Sequence, residues 1–111
     1  LGLEIQVMAY EFYNPDTLAL QNTVFFSYKV FNRSSNTYHN TIFGLFNDLD
    51  IGFAFDDYIG SDVQRGLIYG FNGDSIDGSS AADSVSAYPD KVPAQTVMIL
   101  GGPLMDDDGE D

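Results

Sequence analysis

The sequence contains no cysteine, and only four of its 111 residues are basic. The absence of cysteine excludes disulfides, zinc–thiolate sites, iron–sulfur clusters and a cysteine nucleophile. Four Lys and Arg residues are too few for the basic stripe that binding to nucleic acid or to anionic lipid requires. No apolar run approaches the roughly 20 residues of a membrane-spanning helix. We therefore expect neither nucleic-acid binding nor membrane insertion.

Acidic residues, by contrast, are abundant. Seventeen Asp and Glu give a formal net charge of -13, while 44% of the residues are hydrophobic. That apolar fraction is ordinary for a globular protein and too high for a disordered acidic tail. An acidic chain that folds must either tolerate strong self-repulsion or offset it with cations.

Alternating and β-branched segments dominate the chain and predict an all-β fold. The predicted strands cover residues 3–12, 23–33, 37–46, 66–71 and 94–100. A long surface loop is expected over 74–91, because that segment is rich in Ser, Asp, Ala and Gly. We expect an antiparallel β-sandwich or jelly-roll-like module with long Asp/Gly-rich loops. Residues 1–104 are predicted to form this single module, and 105–111 an acidic linker or tail.

The stretch Asn47–Asp77 holds seven Asp and one basic residue, Arg65. Ca²⁺ takes six to eight oxygen ligands, which short carboxylates and loop carbonyls can supply, whereas Mg²⁺ prefers few protein ligands and several waters. The spacing is not that of an EF-hand. The alternative is a solvated loop in which Asp serves as a turn and cap residue. The predicted metal ligands are Asp48, Asp50, Asp56, Asp57, Asp62 and Asp74.

The same residues resemble a known module. The run D-x-D-x-G-x-x-x-D-D-x-x-G-x-D at 48–62, followed by G-x-x-Y-x-x-N-G-D at 66–74, is similar to a β-rich module of Bacteroidota surface proteins that the type IX secretion system exports. A closing phrase matches at Pro93, Ala94, Leu100, Gly102 and Pro103, and the resemblance extends over 22–103. Three positions depart from the pattern: Ser61 replaces a Cys, and Leu49 and Val92 each replace a Pro. The resemblance implies a secreted or cell-surface module of a larger protein, without known catalysis.

Three short motifs match the O-glycosylation signal of Bacteroidota proteins, Asp followed by Ser or Thr and then an apolar residue. They make Thr17, Ser75 and Ser84 candidate O-glycosylation positions. All three fall in predicted turns or loops, where a glycan fits.

Two functions remain open from the sequence. The first is a non-catalytic structural or adhesive module that Ca²⁺ stabilises, with neighbouring domains of the same polypeptide or other cell-surface proteins as partners. The second is a carbohydrate-binding module that recognises surface glycans with Tyr faces and Asp acceptors. An enzyme is not expected, because the chain has one His and no G-x-S-x-G motif.

Overall fold

The computed structural model describes residues 2–78, 87–88 and 91–103. Over these residues the fold is all-β, as the sequence predicts, with two antiparallel sheets. In chain order the elements are β1 (Leu3–Glu11), α1 (Leu18–Gln21), β2 (Val24–Asn32), β3 (Asp57–Asp62), β4 (Leu67–Asn72) and β5 (Ala94–Met98). Within the described ranges, no helix has the length and hydrophobicity that crossing a bilayer requires.

The chain divides into two compact units, Leu1–Gly44 and Leu45–Asp111. The first contains the β1–β2 sheet and the second the β3–β4–β5 sheet. The sandwich or jelly-roll arrangement and the module boundary at residue 104 stay predictions. The acidic tail 105–111 and most of the loop predicted over 74–91 lie outside the described residues.

The first unit is built on a nine-residue antiparallel pairing of β1 with β2, from Leu3 opposite Asn32 to Glu11 opposite Val24. Opposed residues share a face of the sheet. The sequence alternation is therefore confirmed: Leu3, Ile5 and Val7 lie on one face, while Glu4, Gln6 and Met8 lie on the other. An ion pair lies at one end of the face that carries Glu4, where the Arg33 Nε donates to Glu4 Oε2 at 2.8 Å.

Two donors hold the Glu4 carboxylate in its charged form. The hydrogen bond from the Arg33 guanidinium has the larger effect and that from the Gln6 side-chain amide the smaller, and both lower the pKa of Glu4 below its ordinary value. Because the pKa of Glu4 is lowered in the folded state, its ionised form contributes to folding stability above the pH at which Glu ionises in the unfolded chain. This contribution is lost as the pH falls through the folded-state pKa. Because both side chains are solvent-exposed, we expect little effect on stability.

We expect Arg33→Gln to raise the pKa of Glu4 towards its ordinary value, because the main charge-assisted hydrogen bond is lost. NMR titration of the side-chain carboxyl measures this. Lys29→Gln is the matched control, since it removes one positive charge from the same hairpin and leaves the ion pair intact. An equal rise in both variants would show that the Glu4 pKa responds to net charge instead of to the Arg33 contact.

Residues 37–46 contain no strand, so the strand predicted there is wrong. The segment has the β-branched and aromatic composition of a strand, but in the described structure it pairs with no neighbour. Asn40 has a φ of 50°, which breaks an extended backbone. Ile42 and Phe46 are 92% and 93% exposed, so the apolar side chains that suggested a strand are not buried as one.

The second unit is a three-stranded sheet with β4 in the centre, antiparallel to β3 on one side and β5 on the other. Its core is formed by Leu49 and Ile51, which are 6% and 4% exposed. They lie against β4 at Gly70, where an added Cβ would be 3.0 Å from Leu49 Cβ and 3.4 Å from Ile51 Cδ1. Gly70 lies opposite Ile59, which shares a sheet face with Asp57. The segment 49–51 therefore covers the face that carries Asp57.

Candidate metal centre

Asp48 and Asp50, the first two predicted ligands, are exposed. They alternate with the buried Leu49 and Ile51. In an extended chain alternate side chains point in opposite directions, so burying the two apolar residues turns both carboxylates outward. The D-L-D-I alternation was visible in the sequence and is the signal that separates this pair from the remaining carboxylates.

Asp62 and Asp74 act in turns. Asp62 accepts hydrogen bonds from the Arg65 backbone amide, at 3.1 Å, and from the Arg65 guanidinium. It stands at the opposite end of β3 from Asp57, about 17 Å away at a rise of about 3.3 Å per residue. Asp74 Oδ1 accepts the Ile76 amide at 2.7 Å, which forms an Asx-turn. For these two predicted ligands the structure shows the turn role.

Asp57, the first residue of β3, and Asp56, the residue before it, fasten distant segments to the sheet. Asp57 Oδ2 accepts the backbone amide of Ile51 at 2.7 Å, and Asp56 Oδ2 accepts that of Gly78 at 2.7 Å. In addition, the Gly73 amide donates to the Asp56 carbonyl at 2.9 Å. Each carboxylate therefore uses one oxygen to cross-link the chain.

Asp77 also cross-links distant segments through its carboxylate, although it is absent from the predicted ligand set. It is 5% exposed, its Oδ1 accepts the Phe53 amide at 2.7 Å, and its Oδ2 accepts the Tyr88 amide. Gly52 lies directly beneath it, because an added Cβ there would overlap Asp77 Oδ2. Its position in the acidic stretch was the only sequence signal for Asp77, since its partners are up to 24 residues away.

Three oxygens at this end of the sheet are buried and receive no hydrogen bond within the described structure: Asp56 Oδ1, Asp57 Oδ1 and Asn72 Oδ1. A buried polar group without a partner costs about 1–3 kcal/mol, and more when it is charged. The described residues form no salt bridge to Asp56 or Asp57, and Arg65 pairs with Asp62 at the other end of β3. This end of the sheet therefore concentrates uncompensated acceptor oxygens.

Asn72, a second residue missing from the predicted set, is 9% exposed. Its side-chain amide donates to the carbonyls of Asp74, at 3.1 Å, and Ile76, at 3.0 Å. In the sequence the Asn-Gly pair indicated only a turn. Across the described residues, no three His, Cys, Asp or Glu side chains assemble as a metal-binding group. The chemistry offered here is instead a mixture of carboxylate and amide oxygens, which suits a hard cation.

The other face of the sheet carries a row of aromatic rings. Tyr58 and Phe71 have centroids 6.1 Å apart and an interplanar angle of 27°, and Phe71 and Tyr69 have 5.9 Å and 28°. Each tyrosine ring packs closely against a glycine of the opposing chain segment: an added Cβ at Gly60 would overlap Tyr69, and one at Gly73, just after β4, would overlap Tyr58. Tyr58 remains 62% exposed.

The candidate O-glycosylation positions Thr17 and Ser75 are exposed, whereas Ser84 lies outside the described residues. No protein-family model, no curated protein and no solved structure matches the chain.

Proposed function

We propose that this chain is a non-catalytic structural or adhesive module that Ca²⁺ stabilises, within a larger secreted or cell-surface bacterial protein. The observation that carries the calcium role is that three oxygens at this end of the sheet, on Asp56, Asp57 and Asn72, are buried without a hydrogen-bond donor. The structural role is supported by the cross-links from Asp56, Asp57 and Asp77 to backbone amides 6–24 residues away in sequence. The location and the partners, neighbouring domains or other surface proteins, are supported by the sequence resemblance.

Thermal unfolding in Ca²⁺ and in EDTA tests this proposal. We expect a higher Tm in Ca²⁺, because a ligand that binds only the folded state stabilises it. An unchanged Tm across a wide range of Ca²⁺ concentrations would contradict the proposal.

Carbohydrate binding is a second candidate, favoured by the row Tyr58–Phe71–Tyr69. A row of partly exposed aromatic rings presents an apolar surface on which a sugar ring can stack, and the Tyr hydroxyls add polar contacts. Asp acceptors near the sheet would bind sugar hydroxyls. Surface glycans would then be the partners of the module.

We expect Tyr58→Ala to weaken glycan binding about tenfold, equivalent to about 1.4 kcal/mol, if this row is the platform. A glycan array followed by titration of its best ligand measures the loss. Tyr13→Ala is the control, because Tyr13 is 87% exposed and lies in the other unit. A silent array, or equal losses in both variants, would dismiss carbohydrate binding at this face.

A further inference from the structure

The strand register sets Asn72 directly opposite Asp57. The neighbouring pair, Asp56 and Gly73, is joined by a backbone hydrogen bond of 2.9 Å. Hydrogen-bonded and non-hydrogen-bonded pairs alternate along an antiparallel ladder. Asp57 and Asn72 therefore occupy a non-hydrogen-bonded pair, where the side chains on the shared face approach each other most closely.

Both side chains meet at this pair as acceptors. The Asp57 Oδ2 accepts the Ile51 amide, and its Oδ1 is buried without a hydrogen-bond donor. Asn72 cannot turn its NH₂ group towards Asp57, because that group already donates to the carbonyls of Asp74 and Ile76. A flipped amide would set its oxygen against those two carbonyls. Asp57 and Asn72 thus form a directly opposed pair, and each contributes one buried acceptor oxygen that receives no hydrogen bond within the described structure.

We infer that Asp57 Oδ1 and Asn72 Oδ1 are two ligands of one bound Ca²⁺. This assignment rests on the proposed calcium-stabilised function and narrows it, since it names two specific ligands: Asp57 from the predicted set, and Asn72, which the sequence did not suggest. A cation between the two oxygens satisfies both acceptors at once. Ca²⁺ accepts mixed carboxylate, Asn and backbone carbonyl oxygens in flexible geometry, whereas Mg²⁺ demands a near-ideal octahedron and keeps its waters.

The variant Asp57→Asn tests the assignment, because it should raise the stability of the metal-free protein while it weakens Ca²⁺ binding. The new amide retains an oxygen for the Ile51 amide and places an NH₂ group beside Asn72 Oδ1, which it can satisfy. In EDTA we expect this variant to melt at a higher temperature than the unsubstituted protein, called the parent below. In calorimetric titration it should bind Ca²⁺ at least tenfold more weakly than the parent. Asp50→Asn makes the same charge change at an exposed position and should keep the parent's Ca²⁺ affinity.

A second measurement needs no variant. On addition of Ca²⁺ to the full chain, the side-chain amide resonances of Asn72 should shift in ¹H–¹⁵N spectra, while those of the exposed Asn36 stay in place. The result holds even if Asp57→Asn fails to fold.

The outcomes separate the two levels of the proposal. If the parent binds Ca²⁺ but Asp57→Asn binds it equally well and the Asn72 resonances do not move, the ligand assignment is overturned while the calcium function stands. If Asp50→Asn alone loses affinity, the site lies at the exposed acids. If the unsubstituted protein shows no Ca²⁺ binding, both the proposed function and the ligand assignment are wrong.

Discussion

Removal of Ca²⁺ with EDTA is expected to lower the Tm by about 10–20 °C. A ligand at about 100 times its dissociation constant stabilises the folded state by about 2.7 kcal/mol. For a domain of 60–100 residues, each kcal/mol shifts the Tm by about 4–8 °C. The effect is large because the cation both satisfies buried acceptors and reduces repulsion within the acidic stretch, whose formal charge contributes to a total of -13. Scanning calorimetry at several Ca²⁺ concentrations measures it.

Ionic strength must be matched in that experiment, because salt screens exposed charges and raises the stability of any strongly acidic protein. NaCl at equal ionic strength and Mg²⁺ at equal concentration are the controls. A specific site predicts a much larger rise in Ca²⁺ than in either control. Equal rises in all three solutions would show general screening instead of a calcium site.

Gly52→Ala is expected to destabilise the protein by about 2–5 kcal/mol. Gly52 has a φ of 66°, a conformation that costs other L-residues about 1–2 kcal/mol. The added methyl group would also overlap Asp77 Oδ2, and overpacking of a buried site costs about 1–3 kcal/mol. Displacement of Asp77 would loosen its hold on the Phe53 amide as well. Urea denaturation followed by circular dichroism measures the loss.

Gly66→Ala is the matched control for that substitution. Its φ of 63° is almost the same, but the nearest atom to an added Cβ is the Ile99 carbonyl oxygen at 3.7 Å, an ordinary contact. We expect only the backbone cost, about 1–2 kcal/mol. The difference between the two variants isolates the packing of Asp77 on Gly52, and equal losses would mean that this packing contributes nothing.

Most of the strands were predictable from local pattern. β1 and β2 alternate or are rich in β-branched and aromatic residues, and β4 and β5 share that composition. β3 was missed because its Asp and Gly residues resemble a loop; only Tyr58 and Ile59 favour a strand, and pairing with β4 decides the outcome. The prediction for residues 37–46 had the opposite error. Their composition predicts a strand, but a strand also needs a neighbour to pair with.

The candidate site was predictable only in part. Within the predicted acidic stretch, Asp56 and Asp57 carry buried oxygens without donors, whereas the metal-ligand role itself stays a prediction. Asn72 and Asp77 were missed because their roles depend on strand register and on partners far away in sequence. The structural uses of Asp62 and Asp74 were foreseen as the alternative to a ligand role, since Asp before a turn often binds nearby amides.

Native mass spectrometry of the full chain, exchanged into a volatile buffer with trace Ca²⁺ and excess Mg²⁺, tests the calcium role most directly. We predict a Ca²⁺ adduct that survives the Mg²⁺ excess, persists in Asp50→Asn and disappears in Asp57→Asn. A parent spectrum that shows only the metal-free mass, or adducts of both metals in proportion to their concentrations, would contradict the account.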